Sequence, residues 1–185
     1  MEKFIQVHDN IFDSTLQNEI ENFCLGLSYK FTDTSTTISK DQPYCPIFGH
    51  VFLPDKKYST DFLSNIVYGL SSFIKKPILQ VLQGRAYIQV PNNSISIHPP
   101  HVDLKFPHWV CLYYVNDSDG DTIFYKDDKK TEIKRVSPKR GRVAFFDGSI
   151  YHSASTPTKH HRMAINISFL SLIHMNEEIN AMHNL

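Results

Sequence analysis

Apolar side chains are spaced in two different ways along this chain. Near the start, Leu16, Ile20, Phe23 and Leu27 recur every three or four residues, which gathers them on one face of a helix. Asp13 or Ser14 stands just ahead, where a short polar side chain can accept a bond from the free amides of the first turn. The spacing predicts a helix over 16–27. Leu63, Ile66, Val67, Leu70, Phe73 and Ile74 make a second such face, with Ser59 or Thr60 as its cap, and predict a helix over 59–75. Residues 4–7 read as a short first strand. Between the helices, residues 32–41 hold four threonines, two serines and no large apolar residue beyond Ile38. That composition predicts a mobile loop.

From Pro77 onward the spacing becomes that of short strands. The segments 78–90, 109–116, 121–125, 132–136, 142–146 and 162–172 are rich in β-branched and aromatic residues. Asn92-Asn93, Asp117-Ser118-Asp119-Gly120, Lys139-Arg140-Gly141 and Asp147-Gly148 supply the breaks between them. The pattern predicts a mainly β fold with flanking α-helices, a double-stranded β-helix or jelly roll with both helices outside one sheet. One domain over 1–185 is expected, with a helical part over about 1–76 and a jelly-roll core over about 77–173. There is no internal repeat.

Composition narrows the function classes. Lys plus Arg and Asp plus Glu number 19 each, so overall charge makes no case for nucleic acid or a membrane surface. No apolar run approaches a membrane span, and the first residues lack the apolar core of a secretory leader. Cys24, Cys45 and Cys111 are odd in number and far apart, which suits a reducing cytoplasm and argues against structural zinc. The stretch 126–142 carries eight basic residues against Asp127, Asp128 and Glu132. Without interleaved aromatics it reads as a solvated hairpin rather than a base-stacking surface.

The candidate chemistry lies in three residues. His101 and Asp103 are two apart, so in extended chain both point to the same side. His152 must arrive from a distant strand, and Arg162 opens the apolar run that follows. Two histidines and one carboxylate occupy one face of an octahedral Fe(II) and leave positions open for a cosubstrate and O2. An arginine close by can hold a carboxylate-bearing cosubstrate through two parallel bonds. His98, aimed by Pro99 and Pro100, is the other histidine placed to approach such a site, in a role left open.

Three segments carry a resemblance. They are Trp109-Val-Cys-Leu-Tyr-Tyr-Val-Asn116, Gly120-Asp121-Thr122-Ile123-Phe124-Tyr125, and Gly141-Arg-Val-Ala-Phe-Phe-Asp-Gly148 followed by Tyr151-His152. Between Arg85 and Phe169 the chain resembles the prolyl 4-hydroxylase branch of the 2-oxoglutarate- and Fe(II)-dependent oxygenases. The resemblance implies Fe(II), 2-oxoglutarate and O2, and hydroxylation of a C–H bond in a peptide or protein side chain, proline first. It implies that Arg162 pairs with the far carboxylate of 2-oxoglutarate, that the Tyr114 phenol joins it, and that Asn166 adds a contact.

The chain also departs from that pattern. Gly120-Asp121 replaces a Gly-Gly pair. Tyr87 or Gln89, on one strand face, stands in for a tyrosine of the strand before His101, and His98 replaces a second tyrosine. These departures bear on the substrate rather than the iron. A small-molecule or nucleobase oxygenase, a cupin-like metal-binding module without redox turnover and a silent binding protein are the alternatives. The loops 31–44 and 92–100 are the expected substrate lids. Oligomeric state is not legible.

Overall fold

The computed structural model describes residues 4–32, 46–53, 60–75, 77–92 and 96–171. Its elements are β1 (Ile5–His8), α1 (Ser14–Leu25), β2 (Lys30–Thr32), β3 (Ile47–Leu53), α2 (Thr60–Ile74), β4 (Gln80–Gln89), β5 (Trp109–Tyr114), β6 (Thr122–Tyr125), β7 (Glu132–Val136), β8 (Val143–Asp147), β9 (Tyr151–Ala154) and β10 (Arg162–Leu170). Seven strands form one antiparallel sheet in the order β1-β8-β5-β10-β4-β3-β2, and a smaller sheet runs β7-β6-β9. Two single bridges, Ile97 with Ser155 and His101 with His152, lay residues 97–101 along the free edge of β9 as a broken fourth strand. The two sheets face each other, which is the jelly roll expected from the turn spacing.

Strand alternation sorts the side chains into two layers. Trp109, Cys111 and Tyr113 of β5, Phe145 of β8, and Met163, Ile165 and Ile167 of β10 point outward and pack against Ile20 and Cys24 of α1 and Ile66 and Leu70 of α2. Their neighbours Val110, Leu112, Tyr114, Ala144, Phe146 and Ala164 point inward, where Phe124 of the small sheet meets them. Both faces of β5 are covered, so the whole strand is apolar and buried.

The helices begin and end close to where their apolar faces predict. Asp13 caps α1, its side chain accepting from the Leu16 amide at 2.9 Å. Helix α2 buries Ile66 and Leu70, while Phe73 lies at its margin, edge-on to His8. Ser59 and Thr60 as caps, Leu63 as a packing residue, Leu172 and Cys45 fall on positions or side chains outside the described set. So do residues 33–44 of the first expected lid and 93–95 of the second.

Three strands escaped the sequence pattern. β2 and β3 lie within the part read as helix and loop, so Phe31 and Thr32 belong to the large sheet. Glycine and histidine at Gly49 and His50 interrupt the apolar signal of β3. β9 has no β-branched residue, and its pairing with β6 comes from 26 to 32 positions away. Four of the eight basic residues of 126–142 form ion pairs. Arg135 bonds Glu132, Arg142 and Lys139 bond Asp9, and Arg140 bonds Glu21. None of the described helices is long and apolar enough to cross a membrane.

Candidate metal and cosubstrate site

The edge bridge assembles the site. His101 and His152 exchange both backbone hydrogen bonds, at 3.0 and 2.9 Å. Directly opposed residues of an antiparallel pair point to the same face, so their rings lie side by side, centroids 4.8 Å apart. Asp103, two residues on, faces the same interior. Its Oδ1 is 3.9 Å from His101 Nε2 and its Oδ2 is 3.9 Å from His152 Nε2. One ligand atom from each of the three residues lies within 4.8 Å of the others.

The hydrogen bonds around this trio prepare it for a cation. His101 Nδ1–H donates to the Pro99 carbonyl at 3.0 Å, and His152 Nδ1–H to that of Ile150 at 3.1 Å. Both Nε2 lone pairs are thereby left to face Asp103. Burial holds the His152 pKa down to about 4, against the pull of Asp103, which keeps its ring neutral. Burial works against the Asp103 carboxylate. The neighbouring histidines and a hydrogen bond from Asn166 outweigh it and hold the group below its ordinary value. Neutral imidazoles beside an ionised carboxylate are the forms that bind a divalent metal. The donor set fits Fe(II), with two nitrogens, one hard oxygen and one face left open.

A cavity of about 360 Å³ opens beside the trio, a size that suits a small ligand. Arg162 closes one end of it. Its side chain comes from the first residue of β10, opposite Gln89 of β4, and only 4% of the residue is exposed. Nη1 donates to Gln89 Oε1 at 3.0 Å and Nη2 to Thr122 Oγ1 at 2.9 Å. Among the described residues no carboxylate pairs with it, and Nε has no partner. Asp121 acts on the charge from beyond ion-pair distance, and a buried cation whose direct partners are all neutral is costly unless an anion joins it. Gly120 makes room for it, because a Cβ there would lie 3.2 Å from Arg162 Cδ and 2.9 Å from the Ser155 carbonyl oxygen.

The remaining expected residues are placed unequally. Tyr114 is fully buried one layer behind the cavity and does not line it. Its hydroxyl donates to Thr122 Oγ1 at 2.8 Å, and its ring lies 5.6 Å from Arg162 Cζ. Asn166 lines the cavity at the trio rather than beside Arg162, and its Nδ2 donates to Asp103 Oδ2 at 3.0 Å. Gln89 bridges two candidates: its oxygen accepts from Arg162, and its Nε2 donates to His98 Nε2 at 2.7 Å. Burial and the charge of Arg162 hold the His98 pKa down to about 4, so that ring is a neutral acceptor. Thr122 and Arg85 also line the cavity, and sequence reasoning gave neither a role. Arg85 was reachable, because it lies on the same face of β4 as Tyr87 and Gln89. Thr122 carries no such signal.

Neither a protein-family model nor a curated protein matches this sequence. Solved structures do. A prolyl hydroxylase from Trichoplax adhaerens, in complex with a hypoxia inducible factor peptide, superposes with a TM-score of 0.67 at 13% identity, covering 90% of this chain and 83% of that one. An oxidoreductase of the 2OG-Fe(II) oxygenase family from Burkholderia pseudomallei gives 0.68 at 10%, covering 90% and 84%. HygX from Streptomyces hygroscopicus, with nickel, 2-oxoglutarate and hygromycin B bound, gives 0.63 at 11%, covering 90% and 82%. At these identities the likeness is one of fold.

Proposed function

We propose that this protein is a 2-oxoglutarate- and Fe(II)-dependent dioxygenase that hydroxylates a C–H bond of a peptide or protein side chain, in the manner of the prolyl 4-hydroxylases. The observation that carries the reading is Arg162. A buried guanidinium with no carboxylate in ion-pair contact among the described residues closes the same cavity that holds two histidines and a carboxylate. That pairing of features calls for a ligand with a carboxylate at one end and metal-binding oxygens at the other, which describes 2-oxoglutarate. A cupin-like module without redox turnover has no use for such an arginine.

The side chains divide the work. His101, Asp103 and His152 hold the metal, and Asn166 fixes the Asp103 oxygen that faces His152. Arg162 holds the far carboxylate through its fork, oriented beforehand by Gln89 and Thr122. Tyr114 acts on the cosubstrate through Thr122, whose hydroxyl it orients. Leu112 and Phe146 line the cavity and limit water there. Bound in this site, Fe(II) with 2-oxoglutarate supplies the oxidation: O2 is divided between the cosubstrate, released as succinate and CO2, and the substrate C–H, which becomes C–OH. No side chain needs to act as a general base.

The likeness to a peptide-bound prolyl hydroxylase supports a peptide substrate. A small-molecule substrate is the second reading, supported by the antibiotic bound in a protein of the same fold. The cytoplasm suits the chain, since Cys24 and Cys111 are buried free thiols. A turnover screen of peptides and metabolites, followed by a mass gain of one oxygen, tests the substrate class. A peptide hit supports the first reading, and hits confined to metabolites replace it with the second.

A further inference from the structure

The cavity holds a second cation at the end away from Arg162. Arg85 lies opposite Asn166 in the β4–β10 register, whereas Arg162 lies opposite Gln89. Four residues of strand separate these levels, about 13 Å at 3.3 Å per residue. Asn166 bonds Asp103, so Arg85 stands level with Asp103 of the metal trio and Arg162 four residues further along the sheet. Gln83, Arg85 and Tyr87 share the inward face of β4. Arg85 Nη1 donates to the Tyr87 hydroxyl at 3.2 Å. With the Gln83 amide turned so that its oxygen faces the guanidinium, that oxygen accepts from Arg85 Nε at 3.0 Å and also from Nη2.

These contacts fix the guanidinium without neutralising it. Every partner is uncharged, and among the described residues no carboxylate pairs with Arg85. A half-buried cation locked in one orientation at a cavity wall is pre-organised for an oxyanion, and the planar fork matches a carboxylate. The far carboxylate of 2-oxoglutarate is already provided for at Arg162. We propose that Arg85 is a specificity residue that binds a carboxylate of the substrate, next to the carbon that is oxidised. The inference rests on the oxygenase reading and names the substrate class within it: a molecule bearing an acidic group, whether a Glu or Asp side chain of a peptide or a free carboxylic acid.

The test is a matched panel. Capped proline-containing peptides carry Glu or Asp at each neighbouring position, and partners carry Gln or Asn there. Free amino and hydroxy acids are run beside their amides. Binding is measured by calorimetry with the Mn(II)- and 2-oxoglutarate-loaded protein, and oxygen incorporation by mass with the Fe(II) form. The wild type should prefer an acid over its amide by about tenfold or more, the worth of a charged hydrogen-bonded contact. Arg85→Gln should bring that ratio close to one. Arg85→Glu should turn it toward peptides carrying Lys at the same position. Arg85→Lys, which keeps the charge without the fork, should retain a reduced preference and serves if the other variants do not fold. Which arm responds, peptides or free acids, identifies the source of the carboxylate.

A wild-type ratio near one overturns the proposal. So does an unchanged ratio in Arg85→Gln, or a loss of 2-oxoglutarate affinity in that variant with the acid preference intact. Failure of the oxygenase reading is a separate result: no Fe(II)-dependent turnover of 2-oxoglutarate, whatever calorimetry shows for the acids.

Discussion

Replacing Arg162 by Met keeps much of the side chain's volume and removes its charge. In the proposed function, 2-oxoglutarate supplies the carboxylate for a buried cation whose hydrogen bonds go to Gln89 and Thr122. Removing one member of such a pair costs about 3 kcal/mol or more, which is about a hundredfold in affinity. At a concentration one hundred times the wild-type Kd, the cosubstrate stabilises the folded state by about 2.7 kcal/mol. For a domain of this size that is a rise in Tm of about 5–11 °C. At the same concentration Arg162→Met should gain about 0.4 kcal/mol, or about 1 °C. Without cosubstrate, loss of a costly buried cation and loss of two hydrogen bonds oppose each other, so the two proteins should melt within a few degrees. Thermal melts with Mn(II), with and without 2-oxoglutarate, read both quantities. A full cosubstrate-induced rise in Arg162→Met would refute the anchoring role. A collapse of the ligand-free variant would make Arg162 a structural residue.

Asp103→Ala should bind less than a tenth as much divalent metal at concentrations that saturate the wild type while keeping its β-rich circular dichroism, and metal analysis after gel filtration reads the ratio. Asn166→Ala should weaken Mn(II) binding by about 10–100-fold, the usual effect of losing a partner that orients a ligand; a wild-type titration would remove that role. Tyr114→Phe should weaken 2-oxoglutarate binding by about 1 kcal/mol, roughly fivefold, because Thr122 loses its donor while Arg162 stays in place; calorimetry decides. His98 has a folded pKa of about 4 against an ordinary 6.5, because of burial and then the charges of Arg162 and His101. The unfolded chain therefore binds more protons between those values, so stability is full above about pH 6.5 and falls by up to about 3 kcal/mol as pH drops toward 4. The His152 pKa is lowered over the same window, so His98→Gln should reduce the slope in denaturant titrations without abolishing it; an unchanged slope would place the acid sensitivity elsewhere.

What the sequence disclosed follows from how far each signal reaches along the chain. β5 and β10 were legible because their alternation is local and apolar on both faces. The trio was legible because His101, Asp103 and His152 combine scarce residue types with one chemistry. Their convergence was not, since it depends on an edge pairing between residues 97–101 and β9, and β9 hides in a polar run after a turn. Asn166 shares a strand face with Arg162, four residues before it, but its partner Asp103 lies across the sandwich, and strand periodicity says nothing about contacts between sheets. Strand alternation turns Tyr114 inward. Only packing shows that Thr122 stands between its hydroxyl and the cavity. Arg85 resembles any strand arginine until the register sets it level with Asp103.

The proposed function joins Fe(II) and 2-oxoglutarate in this cavity. Its most direct test is succinate formation by the purified protein, reconstituted anaerobically with Fe(II) and 2-oxoglutarate and then exposed to O2, with no added substrate. Slow succinate release should appear, should require both Fe(II) and O2, and should be lost in Asp103→Ala and Arg162→Met. No succinate above the level of Asp103→Ala, with both ligands shown to be bound, would contradict the account.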